Sequence, residues 1–362
     1  MKKKIIPVIA AALMLLTCGT AFSVDFSIDF KEIKESVKKE MKGNKSGTKQ
    51  GEAGKGTAGN AAAVNTEPNS EDDFDWEANK DLTEITITKY KGTRKDVVIP
   101  ATIQDVPVTQ IGKYAFRPDN SDKNITSVVI PEGVKVIGKE AFVSCSQLVS
   151  VTLPENVSIG ESAFTGCKSL KSIDIPKGCQ LGGSAFSSCA NLESVTLPDD
   201  LKIIPDACFL YCKKLANINF PSALKFIGKD AFSGCPFTSV DIPEGVEYIG
   251  QRAFYSDSIT SVSLPKSLKW VGCDQYNGFG MIESDNIADI KIAEGCAPKN
   301  AGRESSEDLR DFVKGAAIDK SIKLQKVLAS VKVPKRSGED GKALEKFLKG
   351  YGFSDYYIRD KF

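Results

Sequence analysis

Apolar and polar positions along the middle of this chain fall into a phrase that recurs every 22 or 23 residues. Three copies read IPEGVKVIGKEAFVSCSQLVSV from Ile130, LPENVSIGESAFTGCKSLKSI from Leu153 and IPKGCQLGGSAFSSCANLESV from Ile175. An Ile, Leu or Phe precedes proline or its equivalent at positions 130, 153, 175, 197, 220, 242 and 264. A phenylalanine follows in step at 142, 164, 186, 209, 232 and 254. Each unit opens on a short strand of the type Leu148-Val149-Ser150-Val151-Thr152-Leu153, in which Leu148, Val151 and Leu153 form the apolar set. Proline then ends the strand without leaving a donor unpaired. A turn, an apolar pair such as Val134 and Ile137, and an Ala-Phe step complete the unit.

A fixed period of this size predicts one supersecondary unit stacked on copies of itself. The expected fold is an α/β-type solenoid. Short parallel strands about 4.8 Å apart form one side, with turns and short helical pieces behind them. The phenylalanine column predicts a continuous spine in the core.

The flanks divide the chain into four parts. Residues 1–23 read as a signal peptide, with Lys2, Lys3 and Lys4 ahead of an apolar stretch too short to span a bilayer. Two processing sites fit: cleavage after Ser23, or lipidation of Cys18 within Leu15-Leu16-Thr17-Cys18-Gly19. Residues 24–80 read as a flexible linker carrying a short amphipathic helix with Phe26, Phe30, Ile33 and Val37, and the acidic patch Glu71, Asp72, Asp73 and Asp75 reads as solvated charge. The solenoid occupies 81–300. Residues 301–362 turn helical, with Leu309, Phe312 and Val313 on one face, then Ile322 to Val331, then Leu344, Phe347 and Leu348 before Gly350. This last part suits a cap over the open end of the stack or a small partner-binding module.

Composition narrows the function. The formal net charge is +1 and the chain has no histidine, which removes serine–histidine and cysteine–histidine catalysis and histidine-based metal sites. The expectation is a protein that is not an enzyme, with no cofactor, no metal and no nucleic-acid partner. Of the ten cysteines, Cys145, Cys167, Cys189, Cys212 and Cys235 share one repeat column, where parallel Cβ vectors do not face each other as a disulfide needs. They are expected to form a ladder of buried free thiols, with one or two bridges as the alternative. Cys179 and Cys296 take positions held by valine or leucine elsewhere and act as small hydrophobes.

Two outward columns of the strands define the candidate ligand face. They contain Ser150, Ser172, Ser194, Asn217 and Ser239 in one, and Thr152, Asp174, Thr196, Asn219 and Asp241 in the other. Small polar side chains suit distributed hydrogen bonding to a glycan or an extended peptide, and equally a solvated face. Asp174 and Asp241 lie three units apart, roughly 14 Å, too far for a paired-carboxylate mechanism.

The strand L-x-S-V-x-L-P with the return I-G-x-x-A-F-x-x-C resembles the BspA-like, or treponemal-type, leucine-rich repeat over about 82–296. Here proline follows the strand, where better-known leucine-rich repeats have Asn or Cys. The resemblance implies an exported bacterial protein of the cell surface or outer envelope. Such a protein binds or adheres to an extracellular protein or glycan, and touches the membrane only through a lipid at Cys18. The competing expectation is an envelope scaffold that mediates protein–protein interaction without host contact.

Overall fold

The computed structural model describes residues 67–119, 124–272, 282–283, 289–294, 299–300, 313–314, 337–350 and 352–355. All belong to one compact unit, Ala62–Phe362. The expected signal segment with Cys18, the helix around Phe26–Val37 and the segment 322–331 lie outside the described residues.

The repeat builds a solenoid whose rungs carry two main strand columns. On the front are Asp96–Val98, Ser127–Val129 and Ser150–Thr152, then Ser172–Asp174 with Ser194–Thr196, then Ser239–Asp241, Ser261–Leu264 and Asp289–Ile292. Within each group the pairing is parallel and in register, so that Asp96, Ser127 and Ser150 stand side by side. The return leg adds two-residue strands such as Val136–Ile137, Ser158–Ile159 and Gln180–Leu181, also parallel. Among the described residues this leg consists of turns and strands; the short helical pieces expected there are not formed.

The spacing of the return strands explains a glycine in most units. A Cβ at Gly138, Gly160, Gly182, Gly228 or Gly250 would meet backbone atoms of the preceding rung at 2.4–2.8 Å. The N–H groups of Gly138, Gly160, Gly228 and Gly250 donate to Ile111, Ile137, Ile204 and Ile227 carbonyls at 2.7–2.8 Å. Pro205 occupies the same place in its unit and has no N–H to donate. There the ladder divides: Gln180–Leu181 ends one sheet and Ile203–Ile204 begins the next.

Behind the strands runs the spine. Phe116, Phe142, Phe164, Phe186, Phe209, Phe232 and Phe254 are buried and stacked, with ring centroids 4.6–5.6 Å apart and planes within 18° of parallel. Phe116 and Tyr90, which stacks on it at 5.4 Å, extend the spine beyond the six positions read from the sequence.

The thiol column explains itself through this spine. Cys145, Cys167, Cys189, Cys212 and Cys235 are free and buried. Their Sγ–H groups donate to the carbonyls of Phe116, Phe142, Phe164, Phe186 and Phe209, one rung back, at 3.2–3.3 Å. The Phe142 carbonyl also accepts the backbone N–H of Cys145 at 3.2 Å, so one oxygen ties two rungs together. Burial pushes the Cys145 and Cys189 thiols up to about 12 and raises Cys167 and Cys208 as well. The neighbouring Cys235 thiol, with burial, raises Cys212. Cys179 is buried as expected and donates to the Pro154 carbonyl at 3.6 Å. Cys296 lies outside the described residues.

The folded body starts earlier than the expected 24–80 linker allows. Phe74–Ala78 pairs antiparallel with Ile85–Tyr90, and the Phe74 ring lies 5.4 Å from Tyr90. Buried Asn69 closes the edge of Asp96–Val98: its N–H donates to the Val98 carbonyl and its Oδ1 accepts the Val98 N–H, both at 2.9 Å. The sequence signal was masked because 67–80 is short and rich in charge. Glu71–Asp73 forms a single 3-10 turn.

The C-terminal segment also differs from expectation. Val313–Lys314, assigned to a helix face, forms a parallel strand with Ile282–Glu283 and continues a third column begun by Phe254–Tyr255. The helix Glu339–Gly350 forms where Leu344, Phe347 and Leu348 place it. An end cap would meet the last rung alone. This helix packs Leu344 and Leu348 against Phe226, Tyr248 and Trp270, which come from three successive rungs, with Ile203, Phe347 and Phe353 at the margin. Phe226 stacks on Tyr248 at 4.3 Å. In earlier rungs the same column holds Val136, Ser158 and Gln180, none of them buried. Among the described residues no helix is long and apolar enough to cross a membrane.

Three outcomes are expected. Phe186→Ala should cost about 3–5 kcal/mol in denaturant unfolding, and an unchanged transition would count against the spine. Gly160→Ala should cost about 1–3 kcal/mol, because its Cβ would meet the backbone of Ile137 and Gly138 at 2.7 Å. For the thiols, the unfolded chain ionises near 8.5 while the folded chain keeps its protons up to about 12. Their contribution is therefore whole below about pH 8.5 and is lost as pH rises toward 12. The urea midpoint should fall between pH 7 and pH 10, and fall less in a Cys145→Ala, Cys189→Ala variant. An equal fall in both proteins would contradict the assignment.

Candidate functional site

Strand alternation sets the candidate face. In Ser172–Asp174 and Ser194–Thr196 the central Ile173 and Val195 are buried, while the flanking residues are exposed. Ser239–Asp241 repeats the pattern around Val240. Ser150 and Thr152 are exposed beside half-buried Val151. All ten candidate ligand-face residues, including Asn217 and Asn219, are thus solvent-exposed.

The register brings part of the face together. Ser172 stands opposite Ser194, and Asp174 opposite Thr196. Ser239 and Asp241 stand opposite Ser261 and Ser263. Ser150 and Thr152 continue the columns back to Ser127 and Val129. The columns are not one unbroken ladder. Pairing stops between Ser150–Thr152 and Ser172–Asp174, and the unit with Asn217 and Asn219 joins no strand.

Charge on the face is mixed. At its N-terminal end Asp96 accepts from the Ser127 and Thr126 hydroxyls at 2.7 and 2.8 Å, and these bonds hold its carboxyl below the usual range. At the strand entrances Lys214 pairs with Glu193 of the preceding rung at 3.1 Å. Among the described residues no group of three Cys, Asp or Glu side chains is placed to hold a metal ion. The chemistry available is hydrogen bonding from hydroxyls, amides and carboxylates, repeated at the rung spacing.

One exposed aromatic escaped sequence reading. Tyr211 is 47% exposed at the corner that leads into the Asn217 unit. The equivalent corners hold Ser144, Gly166, Ser188 and Gly234, so a bulky residue in a column of small ones was the available signal.

The chain matches the model of the BspA type leucine-rich repeat region in six copies, over residues 109–184 and 179–296. That family is one of repeat regions and indicates no catalytic activity. No curated protein matches. Among solved structures, the chain is similar to a leucine rich cell surface protein from Faecalibacterium prausnitzii. The two are 24% identical, covering 67% of this chain and 86% of that one, with a TM-score of 0.39. A leucine-rich repeat protein from Bacteroides ovatus is 24% identical over 63% of this chain and 77% of its own, with a TM-score of 0.35. The T. pallidum leucine rich repeat protein is 21% identical over 74% and 98%, with a TM-score of 0.34. With six copies of the repeat model spread over more than half of its length, this protein belongs to the BspA-type leucine-rich repeat family.

Proposed function

We propose that this protein is an exported binding protein of the cell surface, and that its strand face engages an extracellular protein or glycan. The observation that carries this reading is the face itself. Side chains that are small, polar and exposed recur in register from rung to rung, while everything behind them serves the core. Repeat architectures use such extended surfaces for binding. A run of hydrogen-bonding groups at fixed spacing gains affinity by engaging many rungs, or many copies, at once. The N-terminal segment 1–23 and the Gly-, Ala- and Lys-rich stretch at 43–66 supply export and a tether. Membership of a repeat family without catalytic assignment agrees with a binding role.

Protease applied to intact source cells should cut within 43–66 and release the solenoid. Protection until lysis would overturn surface exposure and put an envelope scaffold in its place. For the face, Ser194→Arg with Thr196→Arg should leave stability within about 0.5 kcal/mol, since both side chains point to solvent. Binding of the released protein to immobilised matrix proteins or glycans should fall. Unchanged binding would move the contact to another surface.

A further inference from the structure

The rung around 209–220 breaks the repeat in three ways. The first is the bulk of Tyr211, at a corner where other units hold Ser144, Gly166, Ser188 and Gly234. Its φ of +58° is that of the whole corner column, with Ser144 and Ser188 at +60° and +59° and Gly166 and Gly234 at +75°, so the backbone belongs to the fold and the ring is what departs from it. Its ring lies against the next rung: a Cβ at Gly234 would come within 2.5 Å of Tyr211 Cδ1. The second is the pair Asn217 and Asn219, where the adjacent rungs place Ser194 and Thr196 on one side and Ser239 and Asp241 on the other. The third is the backbone. Among the described residues, 216–220 makes no main-chain hydrogen bond to either neighbour, although Ser194–Thr196 and Ser239–Asp241 each pair on their far sides. The following unit departs from the repeat as well. It has one residue between Cys235 and Phe237, where Cys212 and Leu215 are separated by two, and that residue is Pro236, which has no N–H.

These three departures describe one kind of ligand. The main-chain N–H and C=O groups of 216–220, which form no main-chain hydrogen bond among the described residues, are left to be satisfied by water or by the hydroxyls of a ligand. The asparagine amides offer donors and acceptors side by side. An exposed aromatic ring offers a flat apolar surface to the C–H face of a sugar. The face columns supply no Trp or Arg anchor of the kind that dominates protein interfaces. The charges are of both signs: Lys214 paired with Glu193, and Lys213 and Asp241 exposed, which suits an uncharged ligand better than a polyanion.

Taking the strand face as the binding surface, as above, we propose that this rung is a subsite for a neutral polysaccharide. Tyr211 offers the ring for stacking, and Asn217 and Asn219 offer partners for the sugar hydroxyls.

The test uses the full chain in affinity electrophoresis through gels containing mannan, xyloglucan or dextran, with heparin as the charged comparison. Two variants, Tyr211→Ser and Asn217→Ser with Asn219→Thr, install residues found at the equivalent places of the preceding rung, so the fold should be kept; circular dichroism and Tm check this. The wild-type chain should be retarded by a neutral polysaccharide, and each variant should weaken binding by about tenfold. By hydrogen exchange, amides at 217–219 should exchange faster than those of Ser261–Leu264 in the free protein and become protected by the retarding polysaccharide. Retardation by heparin alone, by none of the four, or equally in the variants would overturn the subsite. If the polysaccharides are ignored while a protein ligand is lost in the Ser194→Arg, Thr196→Arg variant, the subsite fails and the face reading survives.

Discussion

Rung separation is the constraint on which the rest of this molecule depends. Two demands set it. Hydrogen bonds between parallel strands close only near 4.8 Å, and offset-stacked aromatic rings keep favourable contact at about that centroid separation. In this protein the same rungs satisfy both, with Phe centroids 4.6–5.6 Å apart behind strands that pair in register. The glycines of the return leg follow from the same distance, since any Cβ there would lie within the neighbouring backbone. So do the cysteines. A column of thiols one rung apart can each reach the previous phenylalanine carbonyl, an acceptor that alanine would leave half used and a larger donor would not fit beside.

Much of this was legible in the sequence because a repeat states its constraints many times over. Phe142, Phe164 and Phe186 share a column, and so do Ser150, Ser172 and Ser194; period alone assigns the former inward and the latter outward. What was hidden lies where the chain speaks once. Asn69 closes a strand edge through one side chain, and nothing in its neighbours repeats it. Val313 was read as helical because its apolar neighbours Leu309 and Phe312 fit a helical period, yet two residues in a strand ladder are set by the partner Ile282–Glu283 and carry no local signature. The return leg was expected to hold helical pieces. Its corners instead use left-handed residues such as Glu140, Ser162 and Ser184, which end any helical turn before it can repeat.

The candidate face was readable to the level of which residues point outward, and no further. Asn217 and Asn219 look like conservative replacements in an alignment of units. Their distinction comes from the unpaired backbone beneath them, and pairing between rungs is something no single unit determines. Irregularity inside a periodic fold is informative because the surrounding units show what the position would otherwise be.

The helix Glu339–Gly350 marks the identity of particular rungs. Its aromatic seat is written into Phe226, Tyr248 and Trp270, whereas the units ahead of Pro205 carry no such mark on that flank. At the other end Phe74, Tyr90 and Asn69 seal the first rungs. Both ends are therefore specified independently of how many units lie between them. Duplication or loss of a whole unit in the stretch between Ile130 and Leu197 would lengthen or shorten the reach of the protein in steps of about 4.8 Å while leaving both closures as they are. Length in this molecule is an inheritable variable that selection can adjust without redesigning the fold.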